Sequence, residues 1–124
     1  MTPYEAVQFD PPAPLALVTV KSARLGIAID DVPMLLDTGA DVSLLPRAHV
    51  AGLISPDAAQ LELVAFDGNK TTSPVVVAEL RFLGKSFRGE FLLIDSWYGI
   101  LGRNVLNNLS ILLDGPKRNW REYR

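Results

Sequence analysis

Cysteine is absent from this 124-residue sequence, and histidine occurs once, as His49. Without cysteine there can be no disulfide, no thiol nucleophile and no cysteine-based zinc site. A single histidine excludes a metal site built from several imidazoles and leaves little basis for a serine–histidine mechanism. The side chains that remain for chemistry are mainly carboxylates and hydroxyls.

Strong charge of one sign and long apolar runs are also missing. The sequence contains 12 Lys and Arg residues and 14 Asp and Glu residues, and the resulting net charge of −2 argues against a general nucleic-acid binder. The longest apolar stretches, such as residues 91–94, are far shorter than the span of about 20 residues that a membrane helix needs. The segment 4–14 is acidic and proline-rich, unlike a signal peptide. We therefore expect neither nucleic acid nor membrane as a partner, and a cytoplasmic location is favoured.

The chain is short for an active site made of two domains. A length of 124 residues with 48% hydrophobic and 21% charged residues fits one globular domain. Residues 1–13 are predicted to be a flexible lead-in without regular ladders, because several of them are proline, and residues 14–124 to be the domain. A cleft that needs two similar halves must then come from two chains.

Alternation of apolar and polar residues predicts a mainly β, small and closed fold. We expect strands at residues 15–21, 25–29, 61–66, 71–82, 86–94, 111–114 and 118–123, and residues 32–36 form a continuous apolar run typical of a strand buried on both faces. Turns are predicted at residues 30–31, 84–85 and 115–116, and Asp67 with Gly68 is a strong hairpin signal. Short helices are predicted at residues 46–52 and 103–109.

A carboxylate and two turn-forming residues follow the apolar run, in residues 35–41 with the sequence Leu-Leu-Asp-Thr-Gly-Ala-Asp. A carboxylate directly after a buried strand is costly unless it is hydrogen-bonded or functional. Thr38 supplies a hydroxyl, and Gly39 removes the side chain where a backbone or a ligand must approach closely. The same residue types also form ordinary turns, so the motif alone leaves a structural turn and a functional carboxylate both open.

A second motif, Ile-Leu-Gly-Arg-Asn at residues 100–104, precedes the second predicted helix. With these two motifs and the apolar hairpin between them, the sequence resembles the retropepsins, the single-domain aspartic proteases of retroviruses and their cellular and bacterial relatives. The resemblance extends in order and spacing from about residue 15 to about residue 114. The additional strand after residue 116 is more similar to cellular and bacterial members than to viral ones. The resemblance implies the barrel-like acid-protease fold with a flap hairpin.

The resemblance also implies roles for the first motif. Asp37 would be the catalytic aspartate, one per chain, and Thr38 would donate its hydroxyl across a two-fold axis to the partner's loop. Gly39 would offer its carbonyl to the substrate backbone, and Ala40 would line the adjoining subsite. No metal and no cofactor is required.

In the second motif, Gly102 and Arg103 would support the active-site loop. Asp41 and Arg103 match a pair that forms an ion pair in viral members; the alternative is a solvated charge at each position. The predicted flap tip consists of Phe66, Asp67, Gly68 and Asn69, with fewer glycines than viral flaps have. Phe66 either closes on substrate or packs at the base of the hairpin.

Together these features predict an aspartic endopeptidase that acts as a homodimer on a polypeptide in extended conformation. Two alternatives stay open. One is a catalytically silent dimerisation or peptide-binding module of the same fold, and the other is a self-processing protease segment.

Overall fold

The computed structural model describes residues 1–64 and 67–124, and most of its regular structure is β. Two four-residue helices occur, α1 (Arg47–Val50) and α2 (Arg103–Leu106), with a 3-10 turn (Ala51–Leu53) directly after α1. The strands, in chain order, are β1 (Thr2–Pro3), β2 (Leu15–Ser22), β3 (Ile27–Leu36), β4 (Leu44–Pro46), β5 (Gln60–Val64), β6 (Lys70–Pro74), β7 (Val76–Phe82), β8 (Lys85–Ile94), β9 (Gly99–Leu101), β10 (Ile111–Asp114) and β11 (Asn119–Glu122).

Six of these strands close into a barrel in the order β2-β3-β9-β4-β8-β7. Along β2 every second side chain enters the interior, so Val18 and Val20 are buried while Leu17 is exposed. This is the period-two pattern that the sequence shows. The predicted mainly β, closed barrel-like fold with a hairpin and short helices is confirmed.

The prediction of a turn at residues 30–31 is wrong, because β3 continues through both aspartates. The register of β2 against β3 shifts between Val18 and Val20, so that β3 carries one additional residue there. Asp31 takes φ 56°, and Asp30 accepts a hydrogen bond of 2.9 Å from the Thr19 hydroxyl. Two adjacent aspartates mark a β-bulge as readily as a turn, since Asp tolerates this backbone conformation.

The turn between β7 and β8 lies one residue earlier than predicted. Its two central residues are Leu83 and Gly84, with φ of 51° and 74°. The second helix is also shorter than predicted: α2 ends at Leu106, and the Asn108 side chain donates 3.0 Å to the carbonyl of Asn104. Such local side-chain bonds compete with helix continuation. None of the helices in the described ranges is long and apolar enough to cross a membrane.

The lead-in forms β pairings at two places, one with β11 and one within itself, so the prediction that residues 1–13 lie outside regular ladders is wrong there. Strand β1 is antiparallel to β11, which also pairs with β10, and Glu5 bridges to Ala13. Between these contacts Phe9 packs edge-on against Tyr98, with ring centroids 5.0 Å apart. Prolines are tolerated because β1 is an edge strand only two residues long. The division into residues 1–13 and 14–124 stays a prediction.

Candidate active site

Asp37 lies where β3 leaves the barrel. The parallel pairing of β3 with β9 continues one step past the strand, because the backbone N–H of Asp37 donates 3.0 Å to the carbonyl of Leu101. The chain then turns at once, with the N–H of Ala40 donating 3.2 Å to the carbonyl of Asp37. A buried strand therefore sets the position of a carboxylate that itself is half-buried.

The Asp37 carboxylate is hydrogen-bonded within its own loop. Its Oδ1 atom accepts 2.9 Å from the backbone N–H of Gly39. A Cβ atom on residue 39 would lie 3.1 Å from the same oxygen, so any other side chain there would press on the carboxylate. Gly39 thus lets the loop orient Asp37 without covering it, as expected from its place in the motif.

The two sequence motifs pack directly against each other. The N–H of Arg103 donates 2.8 Å to the carbonyl of Ala40, and the N–H of Asn104 donates 3.3 Å to the carbonyl of Asp41. Gly102 allows this approach: a Cβ atom there would lie 2.6 Å from the carbonyl carbon of Val42 and 3.0 Å from the carbonyl oxygen of Ala40. The contact needs a residue without a side chain, which explains the glycine of the second motif.

The predicted ion pair between Asp41 and Arg103 is absent from the described part of the chain. Arg103 instead donates from Nη1 to the carbonyl of Thr38, at 2.7 Å. Both side chains are exposed, so Asp41 keeps its hydration while the guanidinium binds a carbonyl at the turn. Arg103 therefore contacts the loop as predicted, but through the backbone.

Ser43 and the side chain of Asn104 also join the two motifs, and this contact was not predicted from the sequence. Ser43 is 3% exposed, and its hydroxyl donates 2.8 Å to Oδ1 of Asn104 while accepting 3.0 Å from the N–H of Gly102. The sequence clue to their role was their closeness to the motifs: Ser43 follows the first motif by two residues, and Asn104 is the last residue of the second. A small polar residue between two apolar stretches gives no indication of its distant partner.

The predicted flap is a separate antiparallel hairpin of β5 and β6, in which Val64 pairs with Lys70. At its tip the Asp67 carboxylate accepts 2.9 Å from the backbone N–H of Asn69 and 2.8 Å from its side-chain amide. Gly68 has φ 84°. The hairpin is confirmed; Phe66, for which two roles were open, lies outside the described residues.

Thr38 and the apolar flap side chains are exposed. Among residues 1–64 and 67–124 no partner is found for the Thr38 hydroxyl, although it lies beside a well-bonded carboxylate. Leu61 and Val64 of β5 are 49% and 63% exposed. Leu61 and Val64 are three residues apart on the strand and lie on opposite faces of the hairpin. One edge of the loop and both faces of the hairpin therefore present exposed groups that could bind a ligand.

The fold and the loop are those of an aspartic protease of the retroviral type. The sequence model of the family described as retroviral aspartyl protease matches residues 14–114, and the chain belongs to this family. Similar solved structures include the EIAV protease complexed with the inhibitor HBY-793, with a TM-score of 0.54 and 21% identity over 84% of this chain and 91% of that one. The solution structure of the Simian Foamy Virus (mac) protease has a TM-score of 0.51 and 15% identity, covering 75% and 91%.

At these identities the structural likeness shows the fold alone. Comparison with curated protein sequences finds no match.

Proposed function

We propose that this protein is an aspartic endopeptidase whose active site forms from two Asp37 carboxylates, one from each chain of a homodimer. The observation that carries the proposal is the hydrogen bonding and partial exposure of Asp37. The backbone of Asp37 is fixed by its N–H bond to Leu101 and its carboxylate by the N–H of Gly39, yet the residue remains only half-buried. A carboxylate held this firmly at the end of a buried strand is expensive for a scaffold and useful for catalysis.

The chemistry follows from placing two such carboxylates a few ångström apart. Like charges at that distance do not both ionise, so the pair shares one proton. The ionised carboxylate takes a proton from a water molecule between the two, and that water attacks the scissile carbonyl carbon. The protonated carboxyl donates to the carbonyl oxygen, and a proton then passes to the leaving amine as the C–N bond breaks. An acidic or mildly acidic optimum is expected.

The neighbouring residues support this arrangement. The exposed Thr38 hydroxyl would donate to the partner's loop across the two-fold axis. Gly39 and Ala40 would meet the substrate backbone and its adjoining side chain. Arg103 acts by holding the carbonyl of Thr38, which keeps the loop in one conformation.

The substrate is a polypeptide in extended conformation, bound as an additional strand between the catalytic loop and the hairpin of β5 and β6. The exposed apolar side chains of the hairpin would cover apolar substrate side chains, and its two-stranded form allows it to open and close.

The catalytic assignment is tested with the Asp37→Asn variant in a peptide-library cleavage assay between pH 3 and pH 7. We expect cleavage to be abolished while the variant remains folded and dimeric. Asp57→Asn is the matched control, because it removes the same charge at an exposed site outside the loop and should retain activity. Cleavage by Asp37→Asn at the wild-type rate would refute the proposal.

The two-chain site is tested by mixing. Wild-type and Asp37→Asn chains are mixed in equal amounts, unfolded and refolded together. If each site needs both carboxylates, the mixture retains about one quarter of the activity of pure wild type at the same total protein concentration, because random pairing makes about one quarter of the dimers wild type. Independent single-chain sites would retain about one half. A catalytically silent module would show no cleavage in either sample.

A further inference from the structure

A cavity of about 650 Å³ opens on the side of the barrel. Its walls come from the turn between β2 and β3, the segment after the 3-10 turn, and the outer faces of β7 and β8. None of the lining residues belongs to the catalytic loop or to the segment 99–104. The volume is within the range of about 300–1,000 Å³ that is common for small-molecule sites.

The cavity reaches the base of the flap hairpin. Ala59 and Val75, both in its lining, are the residues directly before β5 and after β6. The N–H of Val75 donates 2.8 Å to the carbonyl of Ala59 and closes the hairpin at this point. Leu53 and Val77 add two further apolar side chains to the lining.

Positively charged side chains also line the cavity. The charged lining residues are four cations and two carboxylates: Lys21, Arg24, Arg81, Arg88, Glu79 and Glu90. The cavity thus carries a positive excess in a chain whose net charge is −2. Asp57 lies near Arg24 and offsets part of that charge at the margin of the cavity.

Strand pairing fixes the centre of this charge. Lys21 on β2 pairs with Glu79 on β7, which pairs with Arg88 on β8, so the three form a row across the sheet. Glu79 accepts 3.0 Å from Nε of Arg88 and 3.0 Å from Nε of Arg81. Each guanidinium therefore has a defined position while its Nη groups keep further donors, a geometry that suits a carboxylate.

We propose that this cavity binds a small amphipathic carboxylate. The apolar body of the ligand would lie on Leu53, Val75 and Val77, and its carboxylate would meet Lys21 and the guanidinium groups. This site is separate from the proposed proteolytic site, and its existence does not depend on peptide cleavage.

The test uses decanoate as the probe, titrated into the wild-type protein and followed by backbone amide chemical shifts and by calorimetry. We expect the largest shifts near Ala59 and Val75. Decanol, with the same chain and no charge, should bind about tenfold more weakly, which is the effect of one charge-assisted interaction of about 1.4 kcal/mol. The Asp37→Asn variant should bind decanoate as the wild type does, whether or not the chain is a protease.

Val77 provides a matched pair of variants, because it lines the cavity and is 71% exposed, so the fold tolerates polar side chains there. Val77→Glu adds a carboxylate and should weaken decanoate binding by about tenfold, whereas Val77→Gln, of the same size, should change it less than about threefold. Amide spectra show that both variants are folded. Any of four results would overturn the proposal. Two are equal decanoate binding by both variants and equal binding of decanol and decanoate. The others are chemical-shift changes centred on residues 37–43 and no binding at millimolar decanoate.

Discussion

Ser43 joins the two motifs, and its replacement by alanine gives a quantitative test of the active-site architecture. The Ser43→Ala variant leaves the N–H of Gly102 without an acceptor in a buried position. A buried donor without a partner costs about 1–3 kcal/mol. Asn104 also loses a hydrogen bond, but it is exposed and its Oδ1 can be hydrated again, so this loss adds only about 0.5–1 kcal/mol. We expect Ser43→Ala to lower the free energy of unfolding by about 1.5–4 kcal/mol, the sum of these two costs.

The assay is urea unfolding followed by tryptophan fluorescence, at matched protein concentrations because the stability of a dimer depends on concentration. Asn104→Ala keeps the acceptor of the Gly102 N–H but takes the acceptor from the Ser43 hydroxyl, which is 3% exposed, so it should cost about 1–2 kcal/mol and less than Ser43→Ala. Ser55→Ala is the control: its hydroxyl bonds to Asp57 at an exposed site, and its effect should stay within about 0.5 kcal/mol. If Ser43→Ala costs no more than Asn104→Ala, the buried N–H of Gly102 is not what makes Ser43 important.

Three further predictions concern a close contact, a buried ring and a charge. Gly102→Ala should destabilise the fold strongly and abolish cleavage, because its Cβ atom has backbone on two sides, whereas Gly52→Ala meets no atom within 4 Å; equal unfolding midpoints would contradict this. Trp120→Ala, at a site 4% exposed, should cost about 3–5 kcal/mol in urea unfolding, and a loss below about 1 kcal/mol would show that the ring is not part of the core. The pKa of the Glu79 carboxyl lies below its ordinary value because Arg88 hydrogen-bonds it, so this group adds stability that is present at neutral pH and lost as the pH falls through its lowered pKa. Glu79→Gln should therefore be less stable than wild type at pH 7, with the difference shrinking below about pH 4.5, and a difference constant with pH would refute this.

Local pattern was sufficient for most of the strands. The alternation along β2 and the apolar run at the end of β3 depend only on which side chains avoid water, and both strands lie where the pattern predicts them. Predictions failed where the sequence signal had two structural solutions. Asp30 and Asp31 suit both a turn and a bulge, and the pairing of β2 with β3 decided for the bulge.

The contacts across the candidate site needed the tertiary structure. The resemblance to viral members predicted an ion pair between Asp41 and Arg103, but the guanidinium donates to the carbonyl of Thr38 instead. A sequence pattern cannot predict which backbone carbonyl accepts a hydrogen bond from a side chain, because every residue carries a carbonyl. For the same reason the role of Ser43 was not predicted, because its hydrogen-bond partners lie 59 and 61 residues further along the chain.

Alternating periodicity along the sequence predicts the class of fold, and the resemblance of its two motifs to those of the retropepsins predicts the candidate catalytic carboxylate, Asp37. The short length predicts that a cleft made of two similar halves takes a second chain. The tertiary structure decided which atoms hold the loop, how Gly102 lets the motifs meet, and that basic residues from three strands gather around one cavity. Side-chain chemistry is local and can be read along the chain. Proximity between distant residues exists only once the strands have paired.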